Sequence, residues 1–400
     1  LANHDTVGTS PTCARPDDPA ANDGVLMKIR VERDTLADAV AWAARILPQK
    51  AQLPVLAGLR IEAGTDGALR LSGFDYEVSA EAELEVSVAE AGAVLVPGRL
   101  LADITRSLPG QPVDLATDGA RVQLTCGSAR FTLPTLPLDE YPTLPSMPEV
   151  AGTIGSDAFA AAVTSVAIAA GRDDTLPVLT GIRVELDGEE VTLAATDRYR
   201  LAVRTLRWKP ADPSLQATAL VPAKTLAESA KSLTAGAEVT LSLASGGTGE
   251  GLLGLTGATR RTTTRLLDGE FPKYRSLLPD SASATATIAT SALTDAVRRV
   301  SLVASRTSPV RLSFSADGVV LEAGGLDEAE AAEALPATFE GEALTIAFNP
   351  AYLLDGLGAI DSDEATLSFT GPTKPAVLTG KSGEQGGDYR YLLMPVRLAG

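Results

Sequence analysis

The 400-residue chain has one histidine, His4, and two cysteines, Cys13 and Cys126. A single imidazole excludes a histidine triad, a histidine general base and an HExxH zinc site. Two thiols allow one disulfide at most, so there is no secreted cysteine framework, and a cytoplasmic protein with free thiols is the expectation. Long apolar runs are missing too. Asp, Arg, Thr or Gly interrupts them every few residues, short of the ~20 that a membrane span needs. Residues 1–26 lack the apolar centre of a signal peptide and read as a flexible polar leader, with Met27 a more natural start than Leu1. Basic residues are in deficit, 34 Lys and Arg against 51 Asp and Glu, for a formal net charge of -17. That excludes an overall basic nucleic-acid binder but allows a locally basic face.

What the chain does have is internal repetition. With 45% apolar residues it can build a sizeable core, and its length suits two to four domains. LPVLAGLRIE at 53–62 returns as LPVLTGIRVE at 176–185, and VLVPGRLLADITRSLP at 94–109 as ALVPAKTLAESAKSLT at 219–234. A weaker third copy runs through SALTDAVRRVSLVA at 291–304, VRLSFSADGVVLEA at 310–323 and IAFNPAYLLDGLGAI at 346–360. Three domains follow, at 27–149, 150–281 and 282–400, with boundaries where few contacts need cross.

Each copy carries two helical segments with apolar residues three and four apart, such as Leu36, Val40, Ala43 and Leu47. Thr35 with Asp38, and Ser291, are candidate helix caps, while Pro97, Pro222 and Pro350 lead the second helices. Elsewhere apolar and polar residues alternate between Gly-containing turns, as in half-buried antiparallel strands. The fold class is α+β: repeated antiparallel sheets, each domain backed by two helices.

No catalytic constellation emerges. Asp75 and Asp197 occupy repeat-related places and read as turn residues accepting backbone hydrogen bonds. GGTGEGLLG at 246–254 lacks the Lys-Ser/Thr of a phosphate loop and reads as a hairpin. Cys126 lies in an alternating strand with no CxxC, as a small buried filler. The acidic run at 326–335 reads as a solvated strand or loop. No cofactor or metal is expected.

Two features remain. Basic residues sit on or beside the helices: Arg45, Lys50, Arg99, Arg106, Arg172, Lys224, Lys231, Arg298 and Arg299. Arg99 and Arg106, like Lys224 and Lys231, are seven apart and share a helical face, in matching places of the repeat. The last helix breaks this pattern, with Asp355 and no basic residue. ATDRYRLA at 195–202, FPKYRSLLP at 271–279 and YLLMPVRL at 391–398 mix apolar side chains with Arg. Leu392, Met394 and Val396 alternate with Leu393, Pro395 and Arg397, as in a strand that either forms a plain edge or walls a peptide groove.

These segments, with the threefold repeat, resemble the bacterial DNA polymerase III beta subunit, the sliding clamp, in its actinobacterial style over residues 27–398. The resemblance implies a homodimer of three-domain crescents closing head to tail around duplex DNA, helices lining the hole. It implies no catalysis, no membrane contact and no base reading. It also implies docking of the polymerase III alpha subunit, the clamp loader and repair polymerases through short peptides, at the replisome in the cytoplasm. The family's partner pocket carries over onto Leu179, Thr196, Arg198, Tyr199, Arg200 and Leu201. Pro272 and Leu277 add a wall, and Leu392, Met394, Pro395, Val396 and Arg397 the third-domain side. Arg198 stands where relatives often hold glycine, Ser276 where a basic residue is familiar, and Ala399-Gly400 extend the usual end.

A geometric argument supports two chains. Helices ~10 Å apart give about 9 Å of free width from six and nearly 30 Å from twelve; only the larger ring admits a duplex. A metal-dependent DNA-processing enzyme would need a carboxylate cluster that is not apparent. An acidic all-β adhesion protein would leave the paired basic helices unexplained.

Overall fold

The computed structural model describes residues 27–244, 251–303, 308–324, 329–380 and 388–397. The leader with His4 and Cys13, most of the glycine-rich segment, Asp327, Glu328 and Ala399-Gly400 lie outside them. Among the described residues six α-helices pack in three antiparallel-sheet-backed pairs: α1 (Arg33–Ala43) with α2 (Gly98–Ser107), α3 (Ser156–Ala167) with α4 (Ala223–Ser232), and α5 (Thr290–Val300) with α6 (Pro350–Gly358). Each turns a stripe of three- and four-spaced apolar residues inward, such as Phe159, Ala162, Val163 and Val166 in α3.

The helix starts differ from expectation. The helix α1 begins at Arg33 after an extended Glu32, which puts Thr35 inside the first turn. Likewise α5 begins at Thr290, so Ser291 is helical. Both caps fail because the chain turns helical directly from a strand. The side-chain cap that does form is Asn349, whose Oδ1 accepts from Ala351 N at 2.9 Å ahead of Pro350 at the first helical position. Leu47 is buried, but beyond the helix, after the 3₁₀ turn Ala44–Ile46.

The domain boundaries are not places of few contacts, contrary to the sequence reading. Strand pairing runs straight across them. One nine-stranded sheet takes four strands from 58–97 and five from 150–265, and the other takes four from 181–222 and five from 284–393. Arg260–Arg265 pairs antiparallel with Val78–Glu85 at the first seam, and Asp388–Leu393 with Arg200–Arg207 at the second. A backbone ladder joins residues far apart in sequence, so composition near the boundary carries no trace of it. Side chains reinforce the first seam: Ser79 and Thr263 hydroxyls meet at 2.6 Å while Arg260 reaches Asp38 and the Ser232 carbonyl, over the Trp42 ring. The cores follow the same plan. One cluster is confined to the first domain around Leu36, Leu59 and Leu124, and another runs unbroken through the second and third.

The terminal segment is therefore not an edge strand. Asp388–Leu393 lies inside its sheet, between Arg200–Arg207 and Ala376–Gly380. The alternation predicted through Arg397 stops at Leu393, since Pro395 has no amide to continue a ladder. Two further sheets lie at the ends of the chain. Residues 28–134 form one of five strands and residues 310–348 one of four. Their outer strands, Ala129–Pro134 and Ala331–Leu335, have a neighbour on one side only among the described residues. Phe131 sits on the same face as the buried Leu133 yet is 36% exposed, because no next strand covers it.

Candidate functional site

At the second seam a cavity of about 710 Å³ opens between the loop after α3, the turn 197–200 and the first turns of α6. Next to that turn, strand register sets a buried apolar layer. Leu201 lies directly opposite Leu392 across the seam, and both are buried with Val203, Phe271, Tyr274 and Val377. Fully burying such side chains is worth about 1.5–3 kcal/mol each, so these two help hold the seam together beneath the surface. Thr196 is buried as well, its hydroxyl donating to the Arg200 carbonyl at 2.6 Å.

The turn itself is set by Asp197. Its Oδ1 accepts from the amides of Tyr199 and Arg200 at 3.0 and 3.1 Å. Asp75 does the same for Glu77 and Val78 in the first domain. Both turns force the next residue into the left-handed region: Arg198 at φ 80° and Tyr76 at φ 75°. For a residue with a Cβ this costs roughly 1–2 kcal/mol, which is the physical reason glycine suits the place.

Arg200 is buried beneath the cavity and fixes its sides. The guanidinium donates to Asp197 at 2.9 Å, to Asp355 of α6 at 2.5 Å and to the Tyr391 hydroxyl at 3.3 Å, and lies 4.4 Å from the Tyr352 ring centre. Burial works against its charge, but the contacts with Tyr391, Asp355 and Asp197 prevail and hold it protonated above its ordinary range. Burial pushes the Tyr391 phenol up, with Arg200 opposing. Tyr352 stacks on the exposed Tyr199.

Of the residues the sequence nominated, Leu179, Arg198, Tyr199 and Arg200 line this cavity. Met394 is tied to the turn by its amide, which donates to the Tyr199 carbonyl at 2.9 Å; Val396 N donates to Ala347 O at 2.8 Å. Met394, Val396 and Arg397 are exposed and Pro395 half-buried along that segment. Pro272 is half-buried and Leu277 exposed on the neighbouring segment. The phenol of Tyr274, within that segment, donates to Glu185 at 2.9 Å, and Arg275 reaches the same carboxylate at 2.6 Å. Sequence reasoning missed Tyr352, Asp355 and Leu176 as lining residues. The lone acid of the last helix was the available signal.

All nine nominated basic residues are exposed. Four are engaged. Arg99 donates to the Leu47 carbonyl at 2.5 Å, Arg106 and Arg298 pair with Asp103 and Asp295, and Arg299 grips Glu333 through two nitrogens. Arg45, Lys50, Arg172, Lys224 and Lys231 form no ion pair among the described residues. Arg45 and Lys224 share a small cavity of about 190 Å³ between the first two domains, beside Asp75 and Glu228. Arg172 lies at the rim of the large cavity. Cys126 is buried and free, its thiol donating to the carbonyls of Pro109 and Gln111. Among the described residues no acidic or cysteine cluster could hold a metal, and no helix is long and apolar enough to cross a membrane.

Sequence comparison decides the family. Residues 27–145, 153–273 and 275–397 match, in order, the N-terminal, central and C-terminal domains of the DNA polymerase III beta subunit. The chain belongs to that family. It is thus a DNA sliding clamp, a non-catalytic processivity factor that binds DNA and works with the polymerase and its clamp loader. It is 58% identical over 377 residues to the beta sliding clamp of Streptomyces coelicolor, covering 94% of this chain and 100% of that one. With the clamp of Micrococcus luteus it shares 49% over 314 residues, 78% of this chain and 100% of the other. The crystal structure of the Bacillus subtilis clamp superposes with a TM-score of 0.85 at 27% identity, covering 93% of this chain and all of that one. The Pseudomonas aeruginosa clamp bound to griselimycin gives 0.86 with the same identity and coverage.

Replacing Arg200 by Ala should lower stability by about 2 kcal/mol, because Asp197 and Asp355 lose their shared cation while Asp355 keeps partial solvation. Arg200→Lys should fall between, since one ammonium cannot reproduce the forked contacts. Thermal melting reads both. A wild-type melting temperature for Arg200→Ala would mean the network adds nothing.

Proposed function

We propose that two copies of the clamp, each with domains at 27–149, 150–281 and 282–400, close head to tail into a ring around duplex DNA. The arrangement of strands is the observation that carries this reading. Among the described residues every domain contributes one five-strand unit and one four-strand unit. Within the chain, units join twice into nine-stranded sheets and leave a five-strand unit at one end and a four-strand unit at the other. Pairing Ala129–Pro134 of one copy with Ala331–Leu335 of its partner would complete a sheet of the same kind, twice per dimer. It would also cover Phe131 and remove both edges.

The helix pairs would then line the hole. Arg45, Lys50, Lys224 and Lys231, free of ion pairs among the described residues, would meet phosphates without reading bases, while an acidic exterior repels DNA elsewhere. Enclosure supplies processivity, so weak phosphate contacts suit sliding. Partner peptides from the polymerase III alpha subunit, the clamp loader and repair polymerases would seat apolar anchors against Leu179, Tyr199, Leu277, Met394 and Val396 at the replisome in the cytoplasm. The buried Leu201, Leu392, Thr196 and Arg200 would act from below.

Sedimentation equilibrium at micromolar protein should give twice the 41.2 kDa chain mass. Phe131→Asp should weaken the dimer about tenfold or more by placing a charge where the closing strand lies. A purely monomeric wild type would refute the closed ring. For DNA, changing Arg45, Lys50, Lys224 and Lys231 together to Ala should reduce the slope of log affinity against log salt on a linear duplex, by roughly 0.9 for each phosphate that is no longer neutralised. The same change at Arg99, Arg106, Arg298 and Arg299 should do less. Equal slopes in both sets and the wild type would remove the helices from the phosphate path.

A further inference from the structure

We infer that the chain bends at its first seam while the second and third domains move as one body. This rests on the closed-ring reading above, since a closed ring must part to admit circular DNA. The two seams share a backbone ladder and differ in what their side chains do. At the second, apolar packing crosses the boundary on both faces of the sheet. On the face turned away from the helices, Leu201 and Val203 cluster with Val377, Leu392 and Phe271. On the helix side one core runs through both domains, and the Tyr389 hydroxyl donates to the Ser165 carbonyl of α3 at 3.2 Å. Arg200 adds its contacts with Asp355 and Tyr391.

At the first seam no apolar cluster crosses the boundary among the described residues. The facing pairs are Arg261 with Glu81, Thr262 with Ala80 and Thr263 with Ser79. Hydroxyls and charges join them. Ser79 and Thr263 share their hydrogen bond, the Thr262 hydroxyl donates to the Ser79 carbonyl at 2.6 Å, and Arg265 Nε donates to the Tyr76 carbonyl at 3.1 Å. Arg261 pairs with Glu81, and Arg260 with Asp38, whose side chain is 74% exposed. Leu136, Leu138 and Leu144, on the segment leading to the second domain, pack on first-domain residues alone. The cavity of about 190 Å³ lies in this seam, with Trp42 and Val78 on one side and Lys224 and Ser229 on the other. Hydroxyls and ion pairs that separate take up water in exchange, whereas parted leucines expose apolar surface with nothing in return. The void gives the facing side chains room to shift. The ladder keeps its register throughout, so the motion is a bend along the seam and no slip.

Amide hydrogen exchange on the full-length dimer, corrected for intrinsic rates, compares Val78–Glu85 and Arg260–Arg265 with Arg200–Arg207 and Asp388–Leu393. First-seam amides should exchange about tenfold or more faster than second-seam amides, and added salt should widen the gap by screening the ion pairs. Ser79→Cys with Thr263→Cys, in a Cys13→Ser background, supplies a covalent tie. Directly opposed ladder residues lie about 5.5 Å apart at Cα, which suits a disulfide. Oxidation should slow first-seam exchange to the level of the second seam, and should slow loading onto circular duplex DNA by the clamp loader. Reduction should restore both, and the reduced form is the folding control. Equal exchange at the two seams of the wild type overturns the inference whatever the variant does. Loading that is equally fast with and without the tie overturns the role in ring opening. A wild type that sediments as a monomer overturns the ring reading and that role with it, while the exchange comparison still decides where the chain bends.

Discussion

Backbone pairing across domain boundaries is the constraint on which the rest of the molecule depends. A strand ladder fixes two domains in register, because a slip of one residue would turn every buried side chain outward. At the first seam this holds Thr262 opposite Ala80, and at the second Leu201 opposite Leu392. The helix pairs are carried by these sheets and keep fixed positions relative to one another. A crescent of independent domains joined by linkers would have no such stiffness.

The pocket follows from the same constraint. Beside it lies a buried cross-strand pair, its turn is an Asp-capped reversal between the seam strand and its neighbour, and its far side is α6. Arg200 sits where all three meet. One guanidinium touches Asp197 in its own turn, Asp355 on α6 and Tyr391 on the terminal strand. The site is thus a property of two domains in fixed relation, and neither contains it alone.

Much of this was legible in the sequence for a physical reason: repeats record structural equivalence. The helix stripes, the Pro-led second helices and the Asp75 and Asp197 turns depend on short-range spacing, and the structure has them. The cap at Thr35 was misread because an extended residue, Glu32, precedes the helix without a side-chain bond. The joining of sheets across the boundaries was missed because strand partners such as Arg260–Arg265 and Val78–Glu85 lie far apart in the chain. Nothing local in either names the other. Residue type does not reveal depth: Tyr199 and Met394 are exposed, whereas Leu201 and Leu392, nominated beside them, are buried. Asp355 looked like an interruption of a basic pattern, and its reason is Arg200.

Amide hydrogen exchange at the two outer strands tests the ring-closing pairing most directly. If Ala129–Pro134 and Ala331–Leu335 pair between copies, amides in both should exchange slowly at concentrations where the mass is that of a dimer. They should become fast together on dilution, while the seam strands Arg260–Arg265 and Asp388–Leu393 stay protected. Fast exchange in both outer strands of a dimer of confirmed mass would contradict closure by sheet completion.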